Sequence, residues 1–445
     1  IFQNIMSVWN THGVLENNQL GFRQSRNTRT AILQLINALE ASNQQQIPIY
    51  GSTWDITSAF DSVERPLIQL SLERLGLSSQ LATKLAYLDT EDQIRLHTTA
   101  GPTSTFNSER GCGQGDTSSP FIWIAFFDII LTGINRIPSS IFYPTTNGIT
   151  KQVVDTAYAD DLLTYASSPE QLQVKAELMS SYAAVFGFNL ATSKIRTFST
   201  GAPTTLTIYN QQWVPTVLEV TDNFLSYLGS KHLNGSQKEV FRAAHARLNQ
   251  GLQHYQHKRA TAHQHLNFQL STVIPQVEYQ LSFQSFSPQQ LLLLHRPLKR
   301  HVKEQLHLPL SFPDAILHAP RTAGGLGFTS LENKILSCKW KAIQDGLYGK
   351  DQLLTDNIQG MIHRTWVQQA TSTWLSDPQQ TMSDQEITWL TPDSILPWDQ
   401  KPLAVHGWLP LPDLLAHTLG DIRSEEHTSE LQSHHDLVCR LLLEK

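Results

Sequence analysis

Cysteine is scarce in this chain. Three occur in 445 residues (Cys112, Cys338 and Cys439), without metal-ligand spacing. That excludes a disulfide scaffold and a zinc finger, and it fits a reducing, intracellular location. Long apolar runs are missing as well: none approaches the roughly 20 residues that a membrane-spanning helix needs. No secretory signal pattern opens the chain. Net positive charge is also missing. The formal charge is −6, which by itself argues against a nucleic-acid partner. The distribution reverses that argument. Between Lys231 and Glu304, ten Lys/Arg stand against three Glu, so this segment carries +7 and the remainder −13. Eight of the 18 histidines lie there too. Such a segment can track a phosphate backbone while the rest stays acidic. Hydrophobic residues make up 40%, enough for packed cores. The length allows two to four domains of roughly 100–200 residues each. The chain begins at Ile1 in what reads as mid-element sequence, the expectation for a fragment.

What is present reads as alternating elements. Asn27 and Thr28 precede Ala31, Ile32, Leu35, Ile36 and Leu39, a capped helix. Ile47 to Trp54 is a buried strand ending on Asp55. Pro66 opens a helix that Gly76 closes. Residues 110–120 hold three glycines, which predicts a loop with close backbone approach. From Ser119-Pro120 a helix follows that is apolar nearly all round, hence buried. Val153 to Leu163 reads as a hairpin. Ser168-Pro169-Glu170-Gln171 starts a helix that Gly187 ends. Short strands are expected near 195–198 and 224–228. The order suits an α+β fold, a split βαβ sheet with helices on one face. Beyond 230 the sequence turns helical and basic, and 340–410 is polar and rich in tryptophan.

The chemistry concentrates in Tyr158-Ala159-Asp160-Asp161. Two adjacent acids stand between Val153-Val154 and Leu162-Leu163. An unpaired buried carboxylate costs several kcal/mol, so acids persist in such flanks where a cation joins them. An Asp-Asp turn alone is more readily a solvated hairpin tip. Asp55, at the end of another apolar strand, changes the reading. Three hard oxygen donors on rigid backbone can hold a pair of magnesium ions, the requirement for two-metal phosphoryl transfer. That reading demands that the carboxylates of Asp55 and Asp160 converge. The cluster His254, His257, His263 and His265 has no carboxylates nearby in sequence and is not read as a metal site.

Three blocks in order resemble the motifs of reverse transcriptases: Asp55-Ile56-Thr57-Ser58-Ala59-Phe60-Asp61, the Gln114-Gly115-Asp116 loop ending in Ser119-Pro120, and Tyr158-Ala159-Asp160-Asp161. The closest resemblance is to the non-LTR (LINE-type) retrotransposon group. Leu20-Gly21-Phe22-Arg23, Gly187-Phe188-Asn189 through Lys194, Tyr227-Leu228-Gly229 and Gly324-Gly325-Leu326-Gly327 are similar to further segments of that group. The resemblance covers about residues 10–335. It implies a right-hand polymerase with partial fingers (1–50), a ferredoxin-like palm (51–230, with a fingers insertion at about 66–110), a helical thumb and connection (231–335) and a helical C-terminal extension (336–422). It implies RNA-directed DNA polymerase activity with two Mg2+ ions, Mn2+ being an alternative. Its partners would be an RNA template, a DNA primer and dNTPs, in nucleus and cytoplasm, without a membrane.

The resemblance also assigns roles. Asp55 and Asp160 become the principal metal ligands and Asp161 the third acid. Phe60 lies under the nucleotide sugar, where a ring clashes with a 2′-hydroxyl; a core aromatic is its other reading. Gln114 and Gly115 contact the nucleotide, and Arg23 a phosphate. Lys194 is the candidate general acid for pyrophosphate, or else a surface lysine. Tyr227, Leu228 and Gly229 form the primer grip. Lys258, Arg259, Arg296, Lys299, Arg300 and Lys303 line a thumb on the nucleic-acid backbone, or a solvated face. Asp61 and Asp116 read as structural or loop acids.

Residues 423–433, Arg-Ser-Glu-Glu-His-Thr-Ser-Glu-Leu-Gln-Ser, look like a translated sequencing adapter, so 423–445 is expected to carry no function. Two other readings compete. A group II intron-type reverse transcriptase should be more strongly basic after the thumb. A decayed or domesticated copy would bind nucleic acid without catalysis, and the intact acids and Gln114 argue against it.

Overall fold

The computed structural model of the chain describes residues 1–376 apart from 89–92, 96, 100, 108–109, 114, 147, 222–224, 233–235, 257–259 and 287. Two compact units emerge. The first comprises residues 1–236 with 345–360, the second 237–344 with the residues from 361 onward.

The first unit is α+β. Its helices are α1 (Phe2–Thr11), α2 (Thr28–Gln45), α3 (Ala59–Ser62), α4 (Arg65–Arg74), α5 (Ser79–Ala86), α6 (Ser119–Ile134) and α7 (Pro169–Phe186). Its strands include β1 (Tyr50–Trp54), β2 (Ile56–Thr57), β3 (Thr156–Tyr158), β4 (Asp161–Ala166), β5 (Asn189–Leu190) and β6 (Thr197–Ser199). Four of these form one antiparallel sheet in the order β6-β1-β4-β3. β7 (Thr204–Tyr209) and β8 (Pro215–Val220) make a hairpin, and β9 (Leu225–Tyr227) and β10 (Ser230–His232) another.

Local signals account for the helix ends. The Asn27 side chain accepts from Thr30 N–H at 3.3 Å, and Ser168 accepts from Gln171 N–H at 3.2 Å. Each satisfies a donor that the first turn leaves orphaned. The uniform apolarity of α6 has its expected result: Phe121 through Phe127 are all buried.

Where the sequence suggested helices on one face of the sheet, the structure covers both. Leu162 and Ala166 of β4 join a core with α6 and α7. Leu163 and Tyr165, pointing the other way, join a second core with Ala31, Leu35 and Ala38 of α2 and with Tyr227. The period-2 alternation of a strand sends neighbours to opposite faces, so a sheet buried on both sides needs a continuous apolar run. Residues 162–166 supply one that only Thr164 interrupts, and Thr164 Oγ1 donates to Ser52 C=O at 3.2 Å. Burying each such leucine contributes about 1.5–3 kcal/mol.

Residues 345–360 also belong to this unit, against α2. Thr30 Oγ1 donates to Asp351 at 2.8 Å, Asn37 donates to Asn357 at 2.8 Å, and Lys151 pairs with Asp356 at 3.1 Å. Asn37 and Asn357 are wholly buried, so this amide contact lies in the interior of the unit.

The second unit is helical among its described residues: α8 (Ser236–Gln256), α9 (Ala262–Phe268), α10 (Pro275–Ser282), α11 (Pro288–Gln305), α12 (Asp314–His318), α13 (Leu331–Tyr348) and α14 (Gln352–Ser376), the last two shared with the first unit. Val240, Ala244, Leu248 and Leu252 recur every fourth residue on α8, and Leu291, Leu294, Leu298 and Val302 do the same work on α11. No helix among the described residues is long and apolar enough to cross a membrane.

Candidate active site

Sheet register brings the acids together. Trp54 stands opposite Leu162, so Asp55, one residue beyond β1, falls beside Asp161 at the start of β4. Tyr158 pairs with Asp161, which leaves Ala159 and Asp160 as a two-residue turn. Ala159 adopts φ +60°, a left-handed conformation costing a non-glycine residue about 1–2 kcal/mol. Such a turn suits the twist of a hairpin. The carbonyl of Asp55 accepts from Ala191 N–H at 2.9 Å, fixing its backbone from the other side.

The three acids feel one another. Apolar surroundings raise Asp160 above the usual carboxylate range; Asp55 adds to this, while a hydrogen bond to its own backbone and Lys194 oppose it. Asp161 is pushed up to about 6, by desolvation first, then by Asp160 and Asp55. Lys194 Nζ sits 3.2 and 3.3 Å from the two carboxylate oxygens of Asp55. This pair is largely exposed and so contributes little to stability. Among the described residues no group of three or more acid, histidine or cysteine side chains is drawn close enough to hold a metal ion unaided. The acids are near enough to repel and not gathered. Three carboxylates share one end of the sheet, and Asp160 and Asp161 hold a proton more tightly than usual, first because burial disfavours their charge and then because neighbouring acids repel it.

The loop after residue 110 docks on this end of the sheet. Cys112 N–H donates to Phe60 C=O at 3.0 Å and Gly111 N–H to Val63 C=O at 2.8 Å. A Cβ on Gly111, itself at φ +81°, would lie 2.7 Å from Asp61 Cα, so only glycine permits the approach. Gln114 lies outside the described residues. Its neighbour Gly115 has open space around it, and Gly113 C=O accepts from Ser119 Oγ at 2.6 Å. The Phe60 ring packs 5.1 Å from Trp123 and 6.3 Å from Phe22. It is only partly buried, so both of its readings, core aromatic and site wall, have a physical footing. Phe22, 50% exposed, stands opposite it; in the sequence it figures only within the Leu20-Gly21-Phe22-Arg23 segment, with no role of its own.

Other expected contacts are placed differently. Arg23 is buried. Its Nε donates to Asn10 at 2.9 Å and its Nη1 to the carbonyls of Glu16 at 2.7 Å and Gln19 at 3.3 Å. Burial and Arg26 lower it to about 10. Its guanidinium thus braces a loop, while Arg23 and Arg26 also line a cleft of about 820 Å³ between α1 and the start of α6. Tyr227 is buried in the second core, and Leu228 (φ +46°) and Gly229 (φ +76°) make the tight turn between β9 and β10.

In the basic block, Lys258 and Arg259 lie outside the described residues. Lys303 is interior, donating to the carbonyls of Leu310 and Phe312 and to Asp314. Lys299 meets the same Asp314 at 2.5 Å, and these two lysines, Lys299 first, hold Asp314 below its ordinary pKa. Arg300 pairs with Glu304 one turn on. Arg296 is exposed. Sequence spacing put most of these four near one face, yet Asp314 comes from a later helix and claims two of them.

Gln19 is the residue that sequence reasoning missed. Wholly buried, it donates from Nε2 to Ala159 C=O and accepts on Oε1 from Ala159 N–H, both at 3.2 Å.

The profile of the family described as reverse transcriptase (RNA-dependent DNA polymerase) matches residues 1–240. Among curated proteins, the chain is similar to the retrovirus-related Pol polyprotein from the type-2 retrotransposable element R2DM of Drosophila melanogaster. Identity is 28% over 293 residues, covering 63% of this chain and 27% of that protein. It is also similar to the Pol polyprotein from the type-1 retrotransposable element R2 of Popillia japonica, 27% identical over 316 residues, with 68% of this chain and 42% of that protein covered. The chain thus spans less than half the length of these relatives. Among solved structures, telomerase from Candida albicans in complex with a TWJ fragment of telomeric RNA aligns with a TM-score of 0.41 at 11% identity, over 86% of this chain and 58% of that one. More than half of the sequence, including every acid of the site, falls within the matched family region: the chain belongs to the reverse transcriptase (RNA-dependent DNA polymerase) family, and its relatives are those of the non-LTR retrotransposons.

Proposed function

We propose that this chain is the polymerase portion of a non-LTR retrotransposon protein and extends a DNA primer on an RNA template with dNTPs. The observation that supports the reading is the placement of Asp55, Asp160 and Asp161 at one end of the sheet by strand register, with Asp161 pushed up to about 6. Residues 1–50 would serve as fingers, 51–230 as palm, 231–335 as thumb and 336–422 as an extension.

Asp55 and Asp160 would hold two Mg2+ ions, with Asp161 beside them. Bound there, the ions lower the pKa of the primer 3′-hydroxyl and screen the triphosphate charge. The protein's own residues do the rest. The open space around Gly115 lets the backbone near Gln114 approach the nucleotide. The exposed part of Phe60 faces the sugar and rejects a 2′-hydroxyl, selecting deoxynucleotides. Lys194, now on Asp55, has the reach to protonate the leaving pyrophosphate once cations replace it there. Arg296 and Arg300 are the exposed cations of α11 for the duplex backbone. An element of this kind acts in the nucleus after synthesis in the cytoplasm.

Primer extension on poly(rA)/oligo(dT) with dTTP and Mg2+ tests the reading. Extension by the wild-type chain, lost in Asp160→Ala, is the expected result. Asp160→Ala indistinguishable from wild type would falsify it.

A further inference from the structure

We propose that Gln19 is a positioning residue that sets the aim of the Asp160 carboxylate. A two-residue turn keeps the N–H and C=O of its first residue out of the strand ladder. In the β3–β4 hairpin that residue is Ala159, immediately before Asp160. Its peptide groups point into the protein, where an unpaired backbone group is costly. The Gln19 side chain takes both, as a neighbouring strand would. The same Oε1 also accepts from Gly21 N–H at 3.0 Å, which locks the amide orientation.

The main chain extends this contact. Ala157 N–H donates to Asn18 C=O at 2.9 Å, and Leu20 N–H donates to Ala157 C=O at 2.8 Å. Residues 18–20 thereby cover the open edge of β3. Gly21 closes the seam: a Cβ there would lie 2.2 Å from Ala159 N.

A lever needs a fixed mount, and this one has it. Glu16 N–H donates to Asp128 of α6 at 2.7 Å, and Arg74 holds the other oxygen of Asp128 at 2.8 Å. The amides of Asn18 and Asn135 exchange hydrogen bonds at 2.9 and 3.2 Å. Arg23 clasps the carbonyls of Glu16 and Gln19. Position is therefore transmitted from α6 through Gln19 to the peptide preceding Asp160. The Gln19 amide is spent on Ala159 and Gly21, and it offers the reaction no acid or base. Its contribution is the orientation of a neighbour.

This inference rests on the reading of Asp160 as a metal-holding acid, and the test separates the two. Full-length Gln19→Met, which keeps the volume and removes the amide, is compared with wild type and Asp160→Asn. Three quantities are read: kcat on poly(rA)/oligo(dT), manganese(II) binding without substrates by electron paramagnetic resonance, and thermal melting. A misdirected carboxylate should lower kcat by about 100-fold and weaken manganese binding by about tenfold, with primer–template affinity within about twofold of wild type. If Gln19→Met melts more than about 5 °C low, Gln19→Asn, one methylene short, is read by the same criteria with smaller losses expected. A Gln19 variant with wild-type kcat and manganese binding, beside an inactive Asp160→Asn, overturns the proposal alone. So does lost activity with unchanged manganese binding. An active Asp160→Asn overturns the metal reading, and the proposal with it.

Discussion

The two ends of one hairpin treat their acids in opposite ways. At the base, Asp155 and Lys175 are both almost wholly buried. Lys175 Nζ reaches the two carboxylate oxygens at 2.8 and 2.6 Å and Tyr165 C=O at 2.7 Å, and Tyr165 N–H donates to Asp155 at 2.7 Å. Burial pushes Asp155 up, and Lys175 pulls against it. At the tip, Asp160 and Asp161 repel each other and Asp55, with Lys194 as a weak, exposed counter-charge. The base neutralises its acid internally, which ties β3, β4 and α7 into one rigid piece. The tip leaves its acids short of positive charge, which is what a site for an exchangeable cation requires.

The largest break in this contrast should come at the tip. Asp160→Ala should reduce primer extension by about 10³-fold or more while melting no lower than wild type, since a like-charge contact is relieved. At the base the order inverts. Lys175→Met leaves Asp155 buried and unpaired, so urea denaturation should show a loss of about 3–5 kcal/mol. Adding Asp155→Leu to it should return part of that stability, because the buried charge is gone while Tyr165 N–H and C=O lose their side-chain partners. If the single variant is as stable as wild type, the base is not a closed pair. Divalent cations sharpen the comparison further. Mn2+ at about 100 times its Kd should stabilise wild type by about 2.7 kcal/mol, read as a rise in Tm. Asp160→Ala should lose that rise, and chelation should reverse it in wild type.

The smallest expected effect concerns pH. Buried His232 is depressed to about 4 by desolvation. Its folded pKa lies below the unfolded value near 6.5, so the folded state binds fewer protons. Its contribution is complete above pH 6.5 and is lost as pH falls toward 4. At pH 5.5 the loss is about 1 kcal/mol, and His232→Met should flatten that part of the stability curve.

The tip was legible in the sequence and the base was not. Asp160 and Asp161 announce themselves because acids between apolar runs are locally anomalous. Asp55 does so because its strand ends on it. Lys175 carries no such signal. It is a single lysine between Val174 and Ala176 on α7, and its partner Asp155, twenty residues earlier, is brought to it only by the fold. Gln19 is likewise an ordinary polar residue until β3 arrives beside it. Helix caps at Asn27 and Ser168 could be read directly, since capping acts within four residues. That α2 covers the second face of the sheet could not, because an amphipathic pattern specifies a buried side without naming what buries it. The same limit applied to Lys303: helical spacing describes neighbours on one helix, and Asp314 comes from another.

The return of residues 345–360 to α2 has a practical consequence for anyone cutting this chain. A version ending at 236 looks complete on the linear map, since it contains every acid of the site. It would nevertheless strip Asp351 from Thr30 and Asn357 from Asn37, and bare a polar groove along α2 that normally never meets water. The smallest piece worth expressing as the catalytic half is therefore discontinuous, with residues 237–344 either retained or replaced by a linker.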